Sequence, residues 1–361
     1  MDNRFVVIMA GGAGERFWPV SRADKPKYLC SFKEGEKCLL MQTFLRASKV
    51  VPSSNIFVLT NKAQVQNILE ACPELPSGQI FAEPALMDTS AAIAYAVSII
   101  GQKTNFQDSS FAVLPSDAAI KDVGGFADTL TRAFNVAEAR EGGLVTIGIP
   151  PTFPATGYGY IQKAERFDAG GGEYFRVAHF YEKPSEARAR SYLESGDFYW
   201  NAGIFVWKTS SIASAIKKYA PKIGETLGDI LRGIKSGLSA PEAAGKYYGN
   251  FEKISIDFSV MEKADNVWTV PARFDWDDVG SWGAVERLGF NRDESGNIAV
   301  GEAVFEASSG NVLFDKSSRL TAFFGVDNIV VVHTPDATLV CDKSCADKLK
   351  ALVKKLPQKC K

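Results

Sequence analysis

Short apolar runs alternate with longer amphipathic stretches in the first part of the chain, and this alternation constrains the fold more than any other feature. The runs have the length of buried strands, and the stretches carry apolar residues at helical spacing. In chain order they lie at 5–9, 56–60, 62–71, 88–100, 111–114, 126–140 and 144–147. Strand and helix in alternation predict a mostly parallel sheet with helices on both faces. In such sheets, ligands bind at the carboxyl ends of the strands.

Two further regions follow this alternating part. The middle of the chain is less regular, with a glycine-rich stretch at 169–172 and aromatic residues through 192–207, and we predict a mixed sheet that forms the other wall of a cleft. After residue 286, short strands separated by turn signals, the first of them a single strand at 298–305, predict a small all-β module with solenoid-like repeats. A lysine-rich amphipathic helix is predicted at 343–356. We therefore predict two domains, residues 1–285 and 286–361.

The composition and charge of the chain disfavour several classes of binding partner. The 361 residues carry a net charge of -1, so the chain has no overall field that would attract nucleic acid or an anionic membrane. The sequence contains no run of roughly 18 apolar residues and no signal segment, which predicts a cytoplasmic location and no membrane partner. The six cysteines are dispersed, which predicts reduced thiols; Cys341 and Cys345 form a close pair, but a zinc site would need two more ligands.

A glycine-rich loop follows the first predicted strand. Backbone N–H groups at glycine can approach a phosphate closely, and the loop adds cations that favour an anion. These glycines and cations are Gly11, Gly12, Gly14, Arg16, Arg22, Lys25 and Lys27. A nicotinamide-dependent oxidoreductase is disfavoured because Phe17 stands where the dinucleotide fingerprint needs its third glycine, and the Gly-Lys-Ser/Thr of the P-loop is absent. A purely structural turn remains the alternative to a phosphate-binding loop.

The loop sequence GGAGERFWPVSR at 11–22, followed by KPK at 25–27, resembles the signature of the sugar-nucleotide pyrophosphorylases, in the variant of the mannose-1-phosphate guanylyltransferases. Nine further matches follow in the family's order, at 83–84, 88–89, 114–117, 156–160, 182–184, 200–203, 255–257, 260–263 and 276–282. The resemblance implies an α/β, Rossmann-like nucleotidyltransferase domain of GT-A type. The C-terminal module resembles the left-handed β-helix-like ending of single-function members, which implies a homodimer.

The family joins a sugar 1-phosphate to a nucleoside monophosphate and releases pyrophosphate. For this chain the resemblance implies GTP and mannose 1-phosphate as substrates, and GDP-mannose and pyrophosphate as products. Both reacting groups are anionic, so the protein must supply cations and position a metal ion. Mg²⁺ is expected, because proteins hold it through a few carboxylates together with substrate phosphates.

The resemblance also implies roles for the charged residues. Asp117 and Asp278 are the implied metal ligands, although Asp277 is an adjacent competitor and Asp117 alone would more simply be a turn cap. Arg16 is expected to contact the leaving phosphates, since a planar guanidinium suits two phosphate oxygens. Lys27 is expected to stabilise charge on the α-phosphate.

Substrate contacts are implied at further positions. The implied nucleotide-binding residues are Ala10, Gly11, Gly12, Gly14, Glu83, Pro84, Thr89 and Ser116. Glu83 is the predicted acceptor for the guanine amino and N1–H groups. The implied sugar-phosphate-binding residues are Gly157, Glu182, Lys183 and Asn201. Tyr28 and Ala118 stand where the family more often has glutamine and histidine. These two differences would change contacts near the nucleotide and the metal ion.

Two alternatives to this activity remain at the level of the sequence. One is the same reaction with another base or another sugar 1-phosphate. The other is a non-catalytic relative that binds a sugar nucleotide and regulates a partner. The presence of both aspartates together with Arg16 and Lys27 argues against the second alternative.

Overall fold

The computed structural model describes residues 3–360 except 13, 34, 170 and 318, and a large sheet forms its centre. Its strands are β1 (Arg4–Ala10), β2 (Ile56–Asn61), β3 (Ile80–Glu83), β4 (Ser110–Pro115), β5 (Leu144–Ile149), β6 (Tyr160–Ala169), β7 (Gly172–Tyr181), β8 (Phe198–Lys208) and β9 (Val267–Pro271). In space they follow the order β3-β2-β1-β4-β8-β5-β9-β7-β6. Among these strands only β7 and β8 run against the common direction, which confirms the predicted mixed, mostly parallel sheet.

Helices cover both faces of this sheet, as the sequence predicts. They are α1 (Leu39–Ala47), α2 (Val65–Ala71), α3 (Asp88–Lys103), α4 (Val123–Ala139), α5 (Glu186–Ser195), α6 (Thr209–Tyr219), α7 (Pro221–Lys235) and α8 (Ala240–Tyr247). Residues of α1, α2, α4 and α5 belong to the hydrophobic core on one face, and residues of α3, α6, α7 and α8 to the core on the other.

The first strand shows why an uninterrupted apolar run becomes a central strand. Val6 and Ile8 lie in one core, and Phe5 and Val7 lie in the other, because successive side chains of a strand point to opposite faces. Each of these four side chains is at most 2% exposed. Full burial of such a side chain stabilises the fold by about 1.5–3 kcal/mol.

The middle segment joins the large sheet. Strand β8 pairs antiparallel with both β4 and β5 and so lies between two strands of the first half. Strands β6 and β7 form a hairpin that extends the sheet at its far edge. The loop before β6 and the strand β8 thereby reach the same end of the sheet as the glycine loop.

The C-terminal part forms a β-helix-like module, as predicted. Its strands are β10 (Ile298–Val300), β11 (Ala303–Glu306), β12 (Val312–Asp315), β13 (Thr321–Phe324), β14 (Ile329–His333) and β15 (Thr338–Asp342). Strands β10, β12 and β14 are parallel in one sheet, β11 and β13 are parallel in another, and β15 closes the first sheet antiparallel. The chain therefore alternates between two sheets as it coils.

Two details of this module differ from the predicted pattern. The single apolar run at 298–305 is divided at Gly301, which has φ +119°, and a Cβ there would lie 2.7 Å from the carbonyl oxygen of Asp315. The predicted helix at 343–356 is a 3₁₀ turn, Lys343–Lys348, followed by the short helix α9 (Leu349–Val353). The Asp342 side chain caps that turn by accepting from the Ser344 backbone N–H at 2.8 Å.

A third hydrophobic core joins the β-helix-like module to the glycine loop. Phe17, Phe32 and Trp282 pack with Phe314 of β12, at ring-centroid distances of 5.1–6.5 Å. The Trp282 indole N–H donates to the carbonyl of Trp18 at 2.9 Å. The predicted domain boundary after residue 285 falls within the 3₁₀ segment Trp282–Arg287 in this core, and it remains a prediction. In the described residues, no helix combines the length and apolarity needed to cross a bilayer.

We expect Trp282→Ala to lower the free energy of unfolding by roughly 3–5 kcal/mol, because it leaves a cavity in the third core. The control is Leu86→Ala, since Leu86 is 60% exposed whereas Trp282 is 0% exposed. Urea unfolding followed by tryptophan fluorescence and circular dichroism measures both variants. Equal losses in the two variants would contradict the role assigned to this core.

Candidate active site

The glycine loop presents open backbone at the carboxyl end of β1. Gly11 and Gly12 are exposed, and a Cβ at either position would meet nothing within 4 Å. Gly14 has φ +65°, and a Cβ there would lie 2.4 Å from the Cβ of Lys27. The first two glycines thus leave space for a ligand, whereas Gly14 allows Lys27 to pack against the loop.

Lys27 is the centre of the site. It is 5% exposed, and its Nζ lies 2.8 Å from Oδ2 of Asp117. The same ammonium donates to the carbonyl oxygens of Asp278 at 2.7 Å and Val279 at 2.9 Å. A buried ammonium is stable only when it is paired in this way, and an ammonium has three protons to donate. One side chain therefore links the glycine loop, the end of β4 and the turn at 277–280.

The two predicted metal ligands lie on loops that are joined by backbone hydrogen bonds. Ala119 donates to the Asp277 carbonyl at 2.8 Å, and Asp277 donates back at 3.0 Å. Asp278 Oδ1 accepts from the Tyr158 hydroxyl at 2.6 Å and from the Gly280 N–H at 3.2 Å. Through this bridge and Lys27, the structure brings Asp117 and Asp278 together from distant parts of the chain.

The adjacent Asp277 is used differently from Asp278. Its carboxylate pairs with the guanidinium of Arg287 and accepts from the Val279 N–H at 2.7 Å. Burial raises the pKa of Asp278, against the opposing effects of the Tyr158 hydrogen bond and the Lys27 charge. Val279 itself has φ +46°, and such a conformation costs roughly 1–3 kcal/mol in a residue with a side chain. The turn is held in a strained conformation beside a carboxylate whose charge is only partly compensated.

Arg16 extends from the same loop into solvent. It is exposed, and no hydrogen bond or ion pair joins it to another residue within the described part of the chain. The neighbouring Glu15 pairs with Lys350 of α9 at 3.1 Å. The C-terminal helix thus holds the backbone that carries Arg16 while leaving the guanidinium accessible.

The predicted nucleotide-binding residues divide into buried and accessible groups. Ala10 and Ser116 are buried at the ends of β1 and β4, and Pro84 is exposed. Glu83 is buried and accepts a hydrogen bond from the Tyr248 hydroxyl, and burial raises the pKa of Glu83. Thr89 Oγ1 accepts from the Ile256 N–H at 2.9 Å. The side chains of Glu83 and Thr89 therefore have structural partners, and their predicted contact with the base remains a prediction.

The predicted sugar-binding residues form a second cluster. Asn201 donates through Nδ2 to Asp257 at 2.8 Å and accepts from the Gly203 N–H at 3.1 Å. Glu182 lies 3.1 Å from the Lys183 ammonium, and Gly157 is exposed with nothing within 4 Å of an added Cβ.

The loop at 156–160 connects this cluster to the paired aspartates. Tyr158 contacts Asp278, and one residue later a Cβ at Gly159 would lie 2.6 Å from Oε2 of Glu182.

Several residues of the site were missed at the level of sequence. Tyr158 lies in the matched segment 156–160, and Asp257 lies in the matched segment 255–257. A polar side chain within a matched segment was the signal that could have identified them. Arg287 lies outside those motifs and had no such signal. Tyr28 and Ala118, the two departures, are 2% and 5% exposed, and the Tyr28 side chain belongs to the first hydrophobic core.

The donor set can accept a hard divalent cation. In the part of the chain that the structure describes, no group of three or more His, Cys, Asp and Glu residues could enclose a metal by itself. Two carboxylates near an open glycine loop would suit a cation whose remaining ligands are phosphate oxygens and water. Cys341 and Cys345 are free thiols.

Comparison with known proteins places the chain in a family. The nucleotidyl transferase family matches residues 5–289, and the MannoseP isomerase/GMP-like β-helix domain matches residues 302–356. This protein belongs to the nucleotidyl transferase family.

Individual relatives are similar over nearly the whole chain. The mannose-1-phosphate guanylyltransferase of Salmonella montevideo is 34% identical over 356 residues, which are 97% of this chain and 73% of the relative. The Escherichia coli enzyme of the same name is 31% identical over 97% of this chain and 75% of its own length. A crystal structure from Thermus thermophilus, described as a mannose-1-phosphate geranyltransferase, has a TM-score of 0.85 at 33% identity and covers 98% of this chain and 99% of its own.

We expect Glu83→Gln to raise the free energy of unfolding near neutral pH. The folded-state pKa of Glu83 is raised by burial, so its ionised form disfavours folding above that pKa, and the penalty fades as the pH falls through it. Glutamine keeps an acceptor for Tyr248 without the charge. Urea unfolding at about pH 7 and about pH 4 measures the effect, which should shrink at the lower pH. The exposed Glu302→Gln is the control, and an equal change at both pH values would contradict the assignment.

Proposed function

We propose that this protein transfers GMP from GTP to α-D-mannose 1-phosphate and releases GDP-mannose and pyrophosphate. The observation that carries the proposal is the buried Lys27 ammonium, which joins Asp117 and the Asp278 turn beside an open glycine loop. The names of the relatives at 31–34% identity support the choice of substrates.

The triphosphate would lie along the glycine loop. The accessible backbone at Gly11 and Gly12 offers N–H donors, and the exposed guanidinium of Arg16 can bind two oxygens of the leaving β,γ-phosphates. An oxygen of the sugar 1-phosphate attacks the α-phosphorus in line. The bond from the α-phosphorus to the bridging oxygen breaks, and pyrophosphate leaves with the electron pair. No covalent enzyme intermediate is required.

Lys27 would stabilise the charge that develops on the α-phosphate. Its packing against Gly14 and its three partners fix the ammonium before substrate arrives, and charge that is fixed in advance accounts for much of the rate enhancement in many enzymes. Asp117 and Asp278 would hold Mg²⁺, which when bound supplies positive charge and Lewis acidity at the reacting phosphates. The Tyr158 hydroxyl orients the Asp278 carboxylate for that task.

The sugar would be recognised by the second cluster. Asp257 holds the amide of Asn201, which leaves a second amide proton for a sugar hydroxyl. Glu182 can accept from further hydroxyls, Lys183 is exposed and can pair with the sugar phosphate, and Gly157 admits the ring close to the backbone. Glu83, with Pro84 and Thr89, would lie at the base.

Oligomeric state and location complete the proposal. Exposed apolar side chains on the β-helix-like module are available for a homodimer interface, namely Val304, Leu320, Phe324 and Val340. A cytoplasmic location, as the sequence predicts, is also part of the proposal. The same reaction with another base or another sugar 1-phosphate, and a non-catalytic regulatory role, are distinguished by the experiment below.

A pyrophosphate-release assay with four nucleoside triphosphates and several sugar 1-phosphates tests the proposal. We expect the highest kcat/KM for GTP with mannose 1-phosphate, because the relatives' names support that pair. We also expect dependence on added Mg²⁺, because the two carboxylates suit that ion. A higher kcat/KM for another pair would select the same reaction on different substrates. Absence of turnover with every pair would reject the catalytic role.

The metal assignment predicts different effects for two adjacent aspartates. We expect Asp278→Asn to lower kcat by at least about 100-fold, because it removes a charged ligand at the reacting phosphates. Asp277→Asn is the matched control, since its carboxylate is paired with Arg287, and we expect a change of only a few-fold. Pyrophosphate release across a Mg²⁺ titration measures both. A larger loss in Asp277→Asn would reverse the assignment.

A further inference from the structure

The fold brings together two cysteines that lie far apart in the chain. Cys38 and Cys72 are 34 positions apart, and their sulfur atoms lie 3.3 Å from each other in the first hydrophobic core. A shift of roughly 1 Å would bring two such sulfur atoms to bonding distance. Both are free thiols in the structure, and the candidate active site uses neither of them.

The segments that carry the two thiols are held against each other. Cys38 immediately precedes α1, and Cys72 immediately follows α2. Close to them in the chain, Lys37 and Glu74 form an ion pair at the surface. The ends of the two helices are therefore joined by an ion pair outside the core and by the sulfur contact within it.

The two thiols differ in access and in acidity. Cys38 is 8% exposed and Cys72 is 0% exposed, so a small reagent reaches Cys38 first. The contact with the Cys72 thiol lowers the pKa of Cys38, and the backbone N–H groups at the start of α1 act in the same direction, against the effect of burial. The same contact and burial raise the pKa of Cys72. Cys38 is therefore the thiol that ionises, and the thiolate is the nucleophilic form of cysteine.

A third buried cysteine shows that burial alone does not give this chemistry. Cys30 is 1% exposed, and burial raises the pKa of its thiol to about 11. Its sulfur lies 3.7 Å from the carbonyl oxygens of Val20 and Pro26. A thiol with so high a pKa is a poor nucleophile near neutral pH. Cys38 differs because it has both a helix start and a second thiol beside its sulfur.

We propose that Cys38 and Cys72 are a redox site that forms a reversible disulfide when the protein meets hydrogen peroxide. The Cys38 thiolate attacks one peroxide oxygen, the O–O bond breaks and hydroxide leaves, which oxidises Cys38 to a sulfenic acid. The Cys72 sulfur then attacks the Cys38 sulfur, and the sulfenic hydroxyl leaves with the Cys72 proton as water. The two thiols lose two electrons, and the peroxide gains them. A thiol reductant reverses the bridge by exchange.

The bridge constrains the part of the chain that follows the glycine loop. It closes the segment 38–72, which contains α1, β2 and α2, and a cross-link of this kind stabilises a fold mainly by restricting the unfolded chain. The Leu39 N–H donates to the Cys30 carbonyl at 3.2 Å, and the Cys30 N–H donates to the Lys27 carbonyl at 2.9 Å. The oxidised form therefore fastens the segment after Lys27 to the end of α2.

Mass spectrometry of the full chain without reductant tests the site. The protein is treated with hydrogen peroxide, and the remaining thiols are alkylated before digestion. We expect a linked peptide pair that joins Cys38 to Cys72 and disappears with dithiothreitol. A bridge between other cysteines would overturn the proposal. So would oxidation of the exposed Cys345 under conditions that leave Cys38 and Cys72 fully alkylated.

Two variants separate the roles of the thiols. Cys72→Ser removes the resolving thiol but keeps a hydroxyl that can donate to the Cys38 sulfur. We expect it to lose the linked peptide and to gain dimedone labelling at Cys38, because the sulfenic acid then persists. Cys345→Ser is the control and should leave the yield of linked peptide unchanged. Equal dimedone labelling of Cys38 in wild type and Cys72→Ser would overturn the role of Cys72, and the wild-type peptide map stands even where a variant folds poorly.

Thermal unfolding supplies a second readout. We expect hydrogen peroxide to raise the midpoint of the wild type by at least about 2 °C, and dithiothreitol to reverse the shift. Cys72→Ser should show no rise under the same treatment. An unchanged or lower midpoint in a sample whose bridge is confirmed by mass would overturn the stabilising effect of the bridge.

Discussion

The ammonium of Lys27 is the interaction on which the rest of the site depends. It is nearly inaccessible to water, and it is paired with one carboxylate and two carbonyl oxygens. Removing a charge from water is costly unless such partners surround it. The fold meets that requirement by bringing the end of β4 and the turn at 277–280 to the glycine loop, and this arrangement joins Asp117 and the backbone of Asp278 to one ammonium.

Around this ammonium, each loop is held by contacts that leave its ligand-facing groups accessible. The Ala119–Asp277 backbone bridge fixes the carboxylate loops, and Tyr158 fixes the Asp278 side chain. Asn201 is held by Asp257 in the same way. The open glycines and the exposed Arg16 then face solvent. A rigid framework with accessible donors suits phosphoryl transfer, where positioning and charge supply most of the rate.

The sequence predicted the alternating strands and helices well because uninterrupted apolar runs and helical spacing are local signals. It did not predict the division of the run at 298–305, since the close approach of Asp315 to Gly301 is a tertiary contact. Contacts such as Tyr158 with Asp278 join residues 120 positions apart and have no local signature. Tyr28, although next to Lys27, faces the core because the short 3₁₀ turn directs adjacent side chains apart. The substrate contacts of Glu83 and Thr89 remain predictions.

The third hydrophobic core links the integrity of the C-terminal module to that of the glycine loop. Phe17 of the glycine loop and Phe314 of the module both pack against one indole ring, so the two segments share a single packing unit. The central sheet has its own two cores and does not rely on that unit. Fraying of the coil-shaped C-terminal part would therefore remove packing partners from the glycine loop itself, whereas the two cores of the sheet contain neither Phe314 nor Trp282.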